Sequence, residues 1–230
     1  MAKVLLINPP LIKHGKFIDG YQGTRPILPP LGLAHIASYL EMFGHKVSMF
    51  DGQIQESTPE DIAKLSLDYD FIGITSITFQ VLLTYEVLHA IRRTNPKIKI
   101  VIGGPHVSTE YVTEPLELGL ADFSVIGEGE EAMQEIIEAY EKDLGYSDIK
   151  GVAYISDGEI HKPVGAGIVK DVDALPLPAR HLLPMEKYRT SAVRTRNFPA
   201  YSIITSRGCP LKCTFCYNKM EYRRNENDEF

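Results

Sequence analysis

Apolar positions along the first two-thirds of the chain fall into two alternating kinds of run. Short, near-continuous blocks rich in Ile and Val cover residues 4–8, 46–51, 71–76, 98–104 and 123–127. Such blocks predict parallel strands covered on both faces, because a strand with one wet face would alternate apolar and polar residues. Between the blocks, apolar residues recur at helical spacing over about 31–43, 59–67, 82–94, 111–118 and 130–140. Five such βα units predict an α/β fold built on a doubly wound, parallel five-stranded, Rossmann-like sheet spanning residues 1–143. Local signals set the ends of these elements. Thr58, Pro59 and Asp61 mark a helix start, Gly44 closes the first helix, and Asn95 and Pro96 stop the third.

The pattern changes near Asp143. Residues 150–155 and 159–163 alternate around Ser156, Asp157 and Gly158, which predicts a β-hairpin with Asp-Gly at its turn. A GAG triplet at 165–167 and the proline-rich LPLPAR that follows read as a semi-rigid strap, so residues 144–195 are expected to form a hairpin and linker. Residues 201–205, YSIIT, have the composition of a strand, and all three cysteines of the protein come directly after it.

Composition narrows the function classes. The chain has 230 residues, 44% of them hydrophobic, which is enough for a sizeable core. A formal charge of -6 with no long basic run argues against nucleic acid as a partner. The opening MAKVLLINPP lacks the apolar stretch of a signal peptide, and no run approaches the roughly 20 residues needed to span a bilayer. A soluble, cytoplasmic protein without a membrane partner is expected, and clustered thiols without a disulfide framework agree with a reducing compartment.

An open α/β sheet binds its ligand beyond the carboxyl ends of its strands. The segments there read NPP (8–10), DGQ (51–53), TSITFQ (75–80), GGPH (103–106) and GEGE (127–130). Small and hydroxyl-bearing residues let backbone approach a large ligand, and helix N-termini add N–H donors. No GxGxxG opens the first helix, so a nicotinamide dinucleotide is not indicated. His106 suits a hydrogen bond to a ligand or to a neighbouring loop better than a metal role. His35, mid-helix beside Leu33 and Ile36, reads as a partly buried packing residue. Glu130 and Glu131 open a helix where their charge complements its dipole, and Glu128 sits between two glycines.

Cys209, Cys213 and Cys216 stand in a CxxxCxxC spacing with no fourth cysteine to close the set. Three thiolates from one loop can hold three irons of a 4Fe-4S cubane and leave the fourth iron open, whereas a structural zinc site takes four protein ligands. This loop, with Gly208 before it and Phe215 just before the last cysteine, resembles the radical S-adenosylmethionine (SAM) enzymes. The resemblance implies that Cys209, Cys213 and Cys216 are the metal ligands, that SAM chelates the open iron and is cleaved reductively, and that Phe215 lies beside the adenine.

With the GGPH and GEGE loops and the segment LPLPARHLLPMEKY (175–188), the whole chain resembles the cobalamin-binding branch of that superfamily. The resemblance implies that Thr75, Ser76, Gly103, Gly104, His106, Gly127, Glu128 and Gly129 line a cobalamin pocket. It also implies that residues 196–230 are the first strand and cluster loop of a truncated radical SAM domain. A partial barrel needs on the order of 200 residues, and only 14 follow Cys216. The expected partners are therefore the missing C-terminal barrel, in the same or a separate chain, and an external electron donor such as flavodoxin or ferredoxin. The expected reaction in the parent enzyme is a methyl transfer or another radical conversion, with this chain inactive by itself. One departure stands out, because DGQIQES (51–57) replaces the DxHxxG through which other cobalamin domains supply a cobalt-binding histidine. Two further readings stay open, a non-catalytic cobalamin or small-ligand carrier and a radical SAM enzyme whose Rossmann domain binds no cobalamin. A methylthiotransferase is disfavoured, since residues 1–208 contain no cysteine for a second cluster.

Overall fold

Five strands run parallel in the computed structural model, which describes residues 1–11, 26–189 and 201–208. They are β1 (Lys3–Asn8), β2 (Lys46–Asp51), β3 (Phe71–Thr75), β4 (Lys99–Gly103) and β5 (Phe123–Val125), in the order β2-β1-β3-β4-β5. Helices α1 (Leu31–Met42), α2 (Pro59–Leu65), α3 (Val81–Thr94), α4 (Glu114–Glu117) and α5 (Gly129–Glu141) alternate with them. The doubly wound arrangement follows from handedness. A right-handed crossover that moves one way along the sheet, from β1 to β2, puts its helix on one face, and the crossovers from β2 through β5 move the other way and put theirs on the opposite face.

Strand periodicity then sorts the core into two layers. Val4, Leu6, Phe71, Val101, Phe123 and Val125 point to one face and pack with Leu33, Ala37 and Leu40 of α1 and Met133, Ile136 and Ile137 of α5. Their sequence neighbours Leu5, Ile7, Ile72, Ile74, Ile100 and Ile102 point to the other and pack with Ile62, Val87, Leu88, Ile91 and Leu116. Burial on both faces is the reason the strand segments are near-continuously apolar.

The helix signals act as the sequence predicts. Thr58 Oγ1 accepts from the Asp61 N–H at 3.2 Å while Asp61 accepts from the Thr58 N–H at 3.2 Å, a reciprocal cap with Pro59 at the first helical position. Gly44 and His45 donate their N–H groups to the Glu41 and Leu40 carbonyls and close α1.

Three elements differ from the sequence reading. The predicted helix over 111–118 is a 3-10 turn at Glu110–Val112 followed by the single-turn α4. The hairpin forms β6 (Val152–Ser156) and β7 (Glu159–His161), and β6 pairs antiparallel with β5, so this stretch extends the Rossmann sheet to seven strands. Residues 201–205 form no strand; Ile203 is 73% exposed and finds no ladder partner among the described residues. The chain beyond β7 instead runs as a strap. Its Ala179 N–H donates to the Ala34 carbonyl of α1 at 2.8 Å, and Arg189 pairs with Ile27.

Candidate functional site

The sheet order reverses direction at β1 and β3, so the crevice beyond the carboxyl ends of the strands opens there. A cleft of about 500 Å³ lies at that edge on the α1/α5 face. Leu6, Gly73, Val101 and Val125, one from each of β1, β3, β4 and β5, form its largely apolar floor. Gly32, Leu33, His35 and Ile36 of α1 make one wall, and Gly129, Glu130 and Met133 of α5 make the other. Ile204, Ser206, Arg207 and Gly208 border it from the end of the described chain.

Six of the eight residues expected around a ligand, Thr75, Gly103, Gly104, Gly127, Glu128 and Gly129, border this cleft together. Ser76 and His106 do not. Side chains alternate along a strand, so Thr75 faces the cleft and Ser76 turns to the opposite layer, where its hydroxyl meets Thr84 Oγ1 at 3.4 Å. Its backbone is spent on the loop, donating to the Gly103 carbonyl and accepting from the His106 N–H. His106 is buried on that same far side. It stacks on Tyr111 with ring centroids 5.0 Å apart and lies 3.3 Å from Thr78 Oγ1 and 3.4 Å from Glu114 Oε2. Glu114 also accepts from the Tyr85 hydroxyl at 2.9 Å, and burial with that carboxylate holds the phenol well above its usual range.

Two glycines at the rim have no substitute. Gly104 has φ +97°, and a Cβ there would stand 2.6 Å from Thr75 Oγ1. Gly127 has φ +94°, and its Cβ would fall 2.3 Å from the Gly167 carbonyl oxygen. That close approach lets the strap clasp the loop after β5, with Glu128 N–H donating to Gly167 O and Gly167 N–H to Ile126 O. The Glu128 carboxylate then accepts from the Val169 N–H at 2.7 Å.

Arg207, which the sequence reading did not single out, ties the end of the described chain to this wall. It donates to Glu130 Oε1 at 2.6 Å and lies 3.6 Å from Glu128 Oε1, with side chains 15% exposed for Arg207 and 4% for Glu130. Glu130 therefore does more than complement the helix dipole. His35 is the second addition: it borders the cleft, and its Nδ1 is buried without a hydrogen-bond partner among the described residues. Burial, and then the nearby Arg207 charge, hold its ring below the usual histidine pKa. Beyond β2, Asp51 is 1% exposed and accepts from Asn8 Nδ2 at 2.9 Å, from the Gln53 N–H at 2.9 Å and from the Tyr188 hydroxyl at 2.8 Å. Burial pushes its carboxyl up despite these donors. Cys209, Cys213, Cys216 and Phe215 lie outside the described residues.

Residues 24–137 match the model of the B12 binding domain. An uncharacterized methyltransferase of Pyrococcus horikoshii is 34% identical over 224 residues, covering 96% of this chain and 46% of the relative. The chain belongs to the cobalamin-binding radical SAM proteins. Another similar member is the anaerobic magnesium-protoporphyrin IX monomethyl ester cyclase of Rubrivivax gelatinosus, 28% identical over 225 residues, with 93% of this chain and 38% of the relative covered. This cobalamin-binding radical SAM chain thus spans less than half the length of these curated relatives.

Its fold is that of two solved radical SAM proteins. The cobalamin-dependent enzyme OxsB with aqua-cobalamin and SAM bound superposes with a TM-score of 0.63 at 24% identity over 78% of this chain and 24% of that one. The methyltransferase TsrM of Kitasatospora setae with cobalamin and a [4Fe-4S] cluster gives 0.57 at 20% identity over 70% and 30%.

The cleft fits a large, mostly apolar ligand with polar edges. Gly32 and Gly103 leave open room where any side chain would intrude: a Cβ at Gly32 meets nothing within 4 Å, and one at Gly103 meets only the Val125 carbonyl oxygen at 3.9 Å. Among the described residues no helix is long and apolar enough to cross a membrane.

Proposed function

We propose that the cleft between α1, α5 and the sheet holds cobalamin, and that Cys209, Cys213 and Cys216 hold a 4Fe-4S cluster whose open iron takes SAM. The chain is then the cofactor-holding part of a cobalamin-dependent radical SAM enzyme that performs a methyl transfer or another radical conversion. One observation carries this reading: the residues bordering a cleft in a B12-binding domain include Ser206, Arg207 and Gly208, which directly precede Cys209. When bound, cobalamin supplies a cobalt centre and the cluster supplies single electrons, which is chemistry side chains alone lack.

The protein's own residues bind and orient. Gly103, Gly104 and Gly127 let backbone approach the ligand, and the apolar floor excludes water. The Arg207 guanidinium pairs with both Glu128 and Glu130, so each of these carboxylates in the cleft wall has a cation beside it. Catalysis calls for the barrel and a one-electron donor such as flavodoxin or ferredoxin, and an oxygen-sensitive cluster suits the cytoplasm.

Equilibrium dialysis of the full chain against hydroxocobalamin, read by visible absorption, should show saturable retention; no retention overturns the cobalamin assignment. Anaerobic reconstitution with iron and sulfide should load about four irons per chain. Replacing Cys209, Cys213 and Cys216 by Ala should abolish loading, and equal loading of the two proteins would refute the cluster assignment.

A further inference from the structure

Among the described residues of the cleft, His35 carries a buried side-chain nitrogen without a hydrogen-bond partner. The Pro176 carbonyl of the strap lies beside the ring and favours a proton on it, which suits one ring nitrogen to the donor role. The other, Nδ1, is therefore an acceptor, and it is buried and unpaired among the described residues. A buried acceptor left unpaired is costly, so such a group commonly marks a place where a ligand completes the set. Helix α1 fixes its position: Gly32 one turn earlier is open space, and Ile36 packs against the wall formed by Gly129. The charges facing the ring are Arg207 and Arg180, which oppose a proton on it, and Glu130, which favours one.

We infer that His35 is a ligand-binding residue whose Nδ1 accepts a hydrogen bond from a neutral N–H or O–H donor of the corrinoid in the cleft. This rests on the cobalamin reading above. The donor is either a side-chain amide of the corrin ring or a hydroxyl of the nucleotide tail, both uncharged donors that a neutral imidazole suits. His35 also meets the strap at Pro176, so the two roles have to be separated by experiment.

Equilibrium dialysis of the wild-type chain, His35→Asn and His35→Leu against hydroxocobalamin separates them. The Asn carbonyl can accept where Nδ1 does, and Leu cannot; neither keeps the ring beside Pro176. Affinity should fall about fivefold to tenfold in His35→Leu and stay within about twofold of wild type in His35→Asn. Wild-type affinity in His35→Leu overturns the inference, and equal losses in both variants overturn it in favour of a strap-holding role. If the wild-type chain itself retains no cobalamin, the underlying reading fails and this inference with it. Cobinamide, which lacks the nucleotide, identifies the donor: a penalty that persists assigns a corrin amide, and one that vanishes assigns the tail.

Discussion

Replacing Gly103 by Val tests the cleft with little disturbance to the fold. Gly103 is the last residue of β4, in register with Thr75, and its Cβ direction opens into the cleft with only the Val125 carbonyl oxygen within 4 Å, at 3.9 Å. A β-branched residue suits a strand, and glycine in a strand costs roughly 0.5–1 kcal/mol relative to alanine, so the variant should melt at or slightly above the wild-type temperature. The added carbons occupy space the ligand needs. Forcing extra methyl groups into a filled site typically costs about 1–3 kcal/mol, which corresponds to about a 5- to 150-fold rise in Kd. Dialysis against hydroxocobalamin, with a thermal melt of each apo protein, reads both quantities. Gly145→Val is the control, since Gly145 is exposed, has no neighbour within 4 Å of its Cβ and stands outside the cleft. Wild-type affinity in a well-folded Gly103→Val protein would refute the placement of the ligand.

Two further substitutions probe what surrounds the cleft. Glu130→Gln leaves the largely buried Arg207 with a weaker partner, so trypsin should cut after Arg207 at least about tenfold faster, in line with the roughly 1.5–3 kcal/mol attached to a hydrogen bond to a charged group; an unchanged cleavage rate would show that the pair does not hold this segment. Tyr188→Phe removes a donor to the buried Asp51, and urea unfolding at pH 7 should show a loss of about 1.5–3 kcal/mol. Because burial raises the folded pKa of Asp51 above its unfolded value of about 3.9, this group favours folding below that pH and the benefit is lost as pH rises through the folded pKa. The bond from Tyr188 matters most to the ionised form, so the Tyr188→Phe deficit should shrink as pH is lowered through the folded pKa, and a constant deficit would contradict the assignment.

Much of the architecture was legible because parallel strands buried on both faces write themselves as apolar blocks, as FIGIT and KIVIG do. Strand ends also place the loops, and six of the eight expected residues meet at one cleft. What failed depended on direction or distance. Ser76 follows Thr75 by one residue, and that single step turns it to the other layer. His106 follows its glycines around a bend that carries it to the α3 side. Glu130 and Arg207 are 77 residues apart, and nothing local in either segment names the other. The pairing of β6 with β5 is equally invisible locally, although Asp157 and Gly158 mark the hairpin itself. The break in the 110–118 segment was foreshadowed by Pro115, whose ring permits a helix start but interrupts one already under way.

The border formed by Ser206, Arg207 and Gly208 has a consequence for the order of assembly. Floor and walls come from residues 6 to 133, and the last border arrives some 70 residues later. Domains form from the N-terminus during synthesis, and contacts between distant segments are the slowest to close. The sheet and its helices can therefore be complete while the cleft is still open on one side. It is walled only once residues 204–208 have emerged, so the nascent chain passes through a stage in which the cleft stands open to a large ligand on that side.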